Sequence, residues 1–154
     1  MLRISKLTDY GTVILARLAG QPDRLWTAAE VAEATRIGLP TVSKLLKKLQ
    51  RSGLVTSTRG SHGGYQLAQP PGEITAARIL DALEGPFAIT ECSGSHSTCG
   101  LESNCAVGHA WQKVNAAIRR ALNDISLAQL AGSERGVTTH TVPLSRLRAR
   151  VPHD

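Results

Sequence analysis

Three cysteines and a histidine are the residues of this chain best equipped for chemistry. Cys92, Cys99 and Cys105 fall within 14 residues, separated by six and then five. Glycine and serine fill much of the first gap, so the three thiolates can converge on one point. His109 follows Cys105 by four positions and shares a helical face with it if a helix begins there. Several uses compete. A disulfide leaves one cysteine over and is disfavoured in a reducing compartment. A redox pair needs Cys-x-x-Cys, which is absent. A structural zinc site of three Cys and one His is chemically sound, although zinc ligands within a pair are usually only about two to four residues apart. Iron–sulfur ligation by thiolates and one imidazole also fits, the imidazole raising the potential. Three unrelated buried thiols are the plain alternative, and the Gly/Ser setting speaks against it. The residues point to a metal or cluster, and their spacing does not choose between zinc and iron.

A second constellation is basic. Residues 40–52 carry Thr41, Ser43, Lys44, Lys47, Lys48 and Arg51 and contain no acid. Residues 1–70 hold ten Lys/Arg against four Asp/Glu, residues 71–132 four against six, and residues 133–154 four against two. The net charge of +6 is therefore concentrated at one end of the chain. Such asymmetry suits a polyanionic partner, with nucleic acid, acidic protein and lipid headgroups in competition.

The elements that must position these groups can be read from apolar spacing. From Ser5, the residues Leu7, Tyr10, Ile14, Leu15 and Leu18 recur on one face and predict a helix to Ala19, broken by Gln21-Pro22-Asp23. Thr27-Ala28-Ala29-Glu30 has the capping-box pattern and opens a short second helix with Val31 and Ala32 inward. Gly38 is expected to end it, and Pro40 suits the first position of a third helix, where its missing N–H is harmless. Leu39, Val42, Leu45, Leu46 and Leu49 form the apolar stripe of that helix, and the basic residues lie opposite, with Gly53 as the stop. Leu54–Thr58 and Tyr65–Leu67 read as strands around Arg59-Gly60-Ser61-His62-Gly63-Gly64.

The expected fold is mainly α with a small β-hairpin: a winged helix-turn-helix plus a long dimerisation helix. In that arrangement the third helix enters the major groove of double-stranded DNA, and the loop reaches the neighbouring backbone or minor groove. Lys47, Lys48, Arg51 and Arg59 suit phosphates, Thr41, Ser43 and Lys44 suit base edges, and His62 rides on the loop that reaches the DNA. A phosphate-binding P-loop is excluded, because no Gly-Lys-Ser/Thr follows the glycines. Further on, Thr75 is the expected N-cap of a helix burying Ile79, Leu80 and Leu83, and Gly85-Pro86 ends it. Trp111, Val114, Ile118, Ala121, Ile125 and Ala128 then recur in steps of three and four, the seam of one long helix that pairs with a second copy. The chain is thus expected to comprise a DNA-binding module at 1–70, a cysteine and dimerisation region at 71–131, and a disordered tail at 132–154. No apolar run is long enough to span a bilayer and the start does not read as a secretion signal, so a cytoplasmic protein is expected. No Gly-x-Ser-x-Gly elbow or paired acids in a plausible cleft suggest an enzyme or a small-molecule substrate.

Taken together and in order, several segments carry a specific resemblance. They are the opening Met1-Leu-Arg-Ile-Ser-Lys-Leu-Thr-Asp-Tyr10, the junction Ser52-Gly-Leu-Val55, the wing Arg59-Gly-x-x-Gly-Gly-Tyr65 and the three-cysteine segment. Over residues 1 to 131 the chain resembles the bacterial winged-helix iron–sulfur regulators typified by IscR and NsrR, and its opening is most similar to the branch that regulates the SUF assembly system. The resemblance implies a homodimeric transcription factor, expected to be a repressor of iron–sulfur assembly genes, whose operator binding depends on a [2Fe-2S] cluster. It implies Cys92, Cys99 and Cys105 as ligands, with the fourth drawn from His109, Asp9 and His96, in that order. The IscR branch places its histidine three residues after the last cysteine, whereas His109 comes four after. That branch also carries acidic and amide side chains where this chain has Ser43 and Lys44, so its operator does not transfer. A nitric-oxide or redox-stress sensor of the same fold, and a zinc-stabilised interaction module that never binds DNA, are the competing readings.

Overall fold

A computed structural model describes residues 3–90 and 107–132. The described elements are α1 (Lys6–Ala19), α2 (Ala28–Thr35), α3 (Leu39–Arg51), β1 (Val55–Thr58), β2 (Gly64–Leu67), a 3-10 turn at Pro71–Glu73, α4 (Ala76–Glu84), α5 (Gly108–Asn123) and α6 (Leu127–Leu130). The protein is mainly helical with a two-stranded antiparallel hairpin, the winged-helix arrangement.

Four of the helices start where the sequence supplies an acceptor for free backbone amides. Ser5 Oγ accepts from the Thr8 N–H at 3.2 Å, and Thr75 Oγ1 from the Arg78 N–H at 3.3 Å. Thr27 with Glu30, and Ser126 with Gln129, close reciprocal capping boxes. Each such cap contributes about 1 kcal/mol. At the end of α2, Arg36 and not Gly38 adopts the left-handed conformation (φ 57°), and Gly38 instead caps α3. The first helical position of α3 is consequently Leu39, with Pro40 second.

The hairpin pairs Val55 with Leu67 through to Thr58 with Gly64. A rung absent from the sequence expectation extends it: Trp26 and Tyr65 exchange both backbone hydrogen bonds at 2.8 Å. Gly64 is needed there, because a Cβ would lie 2.8 Å from the Trp26 carbonyl oxygen. The wing is thereby fastened to the entry of α2.

The core gathers Ile14, Leu15 and Leu18 of α1, Val31 of α2, and Val42, Leu46 and Leu49 of α3. Ile74, Ile79, Leu83 and Leu127 belong to the same cluster, so the boundary at residue 70 divides charge and not core. Two expected members of the apolar stripes stay out: Leu7 and Leu39 are 46% and 48% exposed, each at the first turn of its helix where little packs beside it. Leu80 is only half-buried.

The long seam is also interrupted. α5 ends at Asn123, and Ser126 starts α6, which packs back on α1 and the 3-10 turn. The Leu127 N–H donates to the Ile74 carbonyl at 2.7 Å and the Ala76 N–H to Ile125 at 2.8 Å. Burial of Leu127 and the second capping box outweigh continuation of the helix, and Ile125 and Ala128 leave the stripe of Trp111, Val114, Ile118 and Ala121. No helix among the described residues is long and apolar enough to cross a membrane.

Candidate nucleic-acid interface

Helical spacing separates the two faces of α3. Val42, Leu45, Leu46 and Leu49 are at most 2% exposed and hold the helix on the core. Lys44, Lys47 and Arg51, at i, i+3 and i+7, are exposed on the opposite side. Thr41 and Ser43 are half-buried, and Arg59 and His62 are exposed on the wing. Within the wing, Ser61 Oγ and His62 Nδ1 are hydrogen-bonded at 3.0 Å.

Gln50 Nε2 donates to Ser57 Oγ at 2.6 Å and so locks α3 to β1. Beside that bond lies a cleft of about 460 Å³, bounded by the first residues of α2 (Thr27, Ala28), by Lys47 and Gln50, and by Ser57, Thr58 and Arg59 of the hairpin. Its lining includes two cations and no acid, so it attracts an anionic strand. Sequence reasoning missed Gln50, Ser57, Thr58 and the start of α2. The step from Lys47 to Gln50 was a usable signal, since residues three apart are neighbours on a helix surface.

Two polar networks orient this unit. Arg17 and Arg24 both lie over the Trp26 indole, 4.8 and 4.0 Å from its ring centre, and Arg24 Nη2 is paired with Glu30 Oε1 at 2.7 Å. The backbone N–H of Thr27, followed by its hydroxyl, holds the Glu30 carboxyl below its ordinary range. At the other end, Glu84 Oε1 accepts from the Ser5 N–H at 3.0 Å and from the Thr8 hydroxyl. The Ser5 side chain first, then the Thr8 hydroxyl and the Ser5 N–H, lower the Glu84 carboxyl as well. Lys48 is exposed like the other cations of α3, but its Nζ donates to the Leu83 carbonyl of α4 at 2.6 Å.

Cys92, Cys99, Cys105 and His96 lie outside the described residues. The two other candidate ligands are described: His109 is exposed in the first turn of α5, and Asp9 is exposed in the first turn of α1. Among the described residues no three metal-binding side chains come together. The stretch that leads into the cysteine segment is held on α5 by the Ile89 N–H, which donates to Asn115 Oδ1 at 3.3 Å. Asp81 of α4 accepts from the Phe87 N–H at 3.3 Å and from Arg119 of α5 at 2.8 Å, and its hydrogen bond, followed by its charge, raises the Arg119 guanidinium.

Comparison with known proteins agrees with this geometry. Residues 4–133 match the family described as Rrf2, iron-dependent transcriptional regulator. The protein rrf2 of Nitratidesulfovibrio vulgaris Hildenborough is 30% identical over 130 residues, which is 84% of this chain and 87% of that one. Among solved structures, CymR, the global cysteine regulator of B. subtilis, is similar with a TM-score of 0.67 at 27% identity, over 87% of this chain and 99% of CymR. T. potens IscR is similar with a TM-score of 0.64 at 28% identity, over 86% of this chain and 89% of that one.

Proposed function

This chain belongs to the Rrf2 family of transcriptional regulators, and from that premise we propose that its grip on operator DNA is set by iron held at its cysteines. The protein is a winged-helix DNA-binding regulator and not an enzyme. The observation that carries the DNA reading is the acid-free cationic surface formed by Lys44, Lys47, Arg51 and Arg59 across α3 and the wing. Lys47, Arg51 and Arg59 meet phosphates, while Thr41, Ser43 and Lys44 at the leading end of α3 meet base edges, with His62 carried on the wing.

The donor set suits an iron–sulfur cluster, proposed as [2Fe-2S]: three thiolates from Cys92, Cys99 and Cys105, with the exposed His109 imidazole as fourth ligand and Asp9 or His96 as rivals. When bound, the cluster supplies a cross-link that ties the cysteine segment to the start of α5. The chain's own residues pass that constraint on. Asn115 holds Ile89, and Arg119 holds Asp81, so α5 and the last turn of α4 move as one unit beneath α3.

A second copy completes the reader. Trp111 and Val114 are 43% and 42% exposed on the same side of α5 as Ile118, an apolar strip that the described residues leave open. Beside it, Ile4, Leu80, Phe87, Ile118 and Leu122 line a cavity of about 380 Å³. Pairing two such helices about a two-fold axis buries both strips and presents two recognition helices to paired half-sites. We propose repression of iron–sulfur assembly genes as the output. The likeness to CymR favours a second reading, in which the controlled genes serve cysteine supply.

Anaerobic purification with iron and sulfide analysis tests the proposal. Iron and sulfide in equal amounts, with visible absorbance that disappears in Cys92→Ala, is the expected result. Zinc without sulfide points to a structural metal, and a protein without either metal whose operators flank cysteine-supply genes points to the second reading.

A further inference from the structure

Lys48 is part of the recognition helix, yet its ammonium is spent elsewhere. It donates to the Leu83 carbonyl, 2.6 Å away in the last turn of α4. In an uninterrupted helix that carbonyl would take the N–H of Phe87, four residues on. Gly85, at φ 96°, ends α4 instead, and the Phe87 N–H turns to Asp81 Oδ1. Lys48 thus replaces the donor the helix has lost, with its charge at the negative end of the α4 dipole.

The same turn is a meeting point. The Leu83 side chain packs so closely on Gly11 of α1 that a Cβ there would lie 2.5 Å from Leu83 Cδ1. Glu84 takes the Ser5 N–H and the Thr8 hydroxyl of α1's first turn, and Asp81 takes Arg119 of α5. The chain then runs through Phe87 and Ile89, both tied down by their N–H groups, to the start of the cysteine segment.

We infer that Lys48 is a positioning residue, a strut through which α3 and the base of the cysteine segment fix each other's orientation, and not a phosphate ligand. The inference rests on the reading that α3 enters DNA, and it reverses the role that the sequence suggests for this lysine. Coupling of this kind is reciprocal: if the turn orients α3, DNA on α3 must steady the turn.

The test uses the full chain and a duplex it selects from a random-sequence pool. Lys47→Met flattens the dependence of log affinity on log salt by about one unit, as loss of one phosphate contact does. Lys48→Met keeps the wild-type slope but weakens binding roughly tenfold, the scale of one lost hydrogen bond to a charged group. Lys48→Arg, which can still donate to the carbonyl, recovers most of that loss. In the wild type, hydrogen exchange at the Phe87 and Ile89 amides slows when the duplex binds, a readout that needs no variant to fold. A Lys48→Met slope that falls like that of Lys47→Met, or wild-type amides at 87 and 89 indifferent to DNA, overturns the strut. A wild-type chain that selects no duplex overturns the DNA reading together with it.

Discussion

At the scale of single residues, two positions carry constraints that their types alone do not announce. Gly64 sits where the wing crosses the backbone of Trp26, and its replacement by alanine drives a methyl group into the Trp26 carbonyl. Gly64→Ala should cost about 1–3 kcal/mol, read as a lower urea midpoint at unchanged slope. Gly72→Ala, with open space around it, should leave the midpoint in place. Glu84 is the second position. Its carboxyl is depressed below the ordinary value of 4.5 by Ser5 and then Thr8, so its contribution is fully present above that pH and is lost as pH falls through the depressed value. Wild type should therefore exceed Glu84→Gln in stability at neutral pH, and the gap should close on acidification in paired denaturation curves. Glu30 titrates similarly but is common to both proteins. Neither constraint was legible in the sequence, because the contacts of Glu84 come from residues 76 and 79 positions away and those of Gly64 from Trp26.

Among the elements, legibility follows the range of the forces involved. The capping box at Thr27–Glu30, the cap at Thr75 and the apolar spacing of α3 act locally, and these helices start within one residue of where the sequence puts them. The seam through Ile125 and Ala128 misled, because its period ignores the Ser126-Leu127-Ala128-Gln129 capping box that starts a new helix. That signal was present in the sequence, but the competing tertiary term, complete burial of Leu127 beneath α1, was not. The exposure of Lys44, Lys47 and Arg51 opposite the apolar stripe of α3 was legible. The bond made by Lys48 was not, because its carbonyl partner lies 35 residues on. Two expectations belong to this scale. Arg59→Ala should flatten the salt slope by about one unit while leaving sequence preference intact, as measured by binding to selected and random duplexes. Arg119→Met should free α5 from Asp81 at a cost of about 1 kcal/mol, because the pair is partly solvated, and hydrogen exchange along α5 should quicken.

For the whole molecule, the cationic reading surface and the entry to the cysteine segment hang from one core. Ile79 and Leu83 of α4 and Leu127 of α6 are buried in the same cluster as Leu46 and Leu49 of α3. α5 is outside that cluster and is joined to it through α4, by Arg119 on Asp81 and by Asn115 on Ile89. On the proposed mechanism a constraint at the start of α5 reaches α3 by that polar joint. In the proposed dimer, the apolar strip of α5 forms the interface. Trp111→Glu should shift sedimentation from dimer to monomer and weaken binding to a two-site duplex far more than to a single half-site. The opening, the Ser52–Val55 junction, the wing and the three-cysteine segment together identified the family from sequence, yet the cysteine spacing by itself left the choice of metal open, because thiolates serve zinc and iron alike. The most direct measurement is the affinity of one oxygen-free preparation for its selected duplex, before and after its iron is removed by chelation. Coupling of about 1–3 kcal/mol predicts a change of roughly 5- to 150-fold between the two forms. Equal affinities, from a protein shown to have carried iron and sulfide, would contradict iron control of DNA binding.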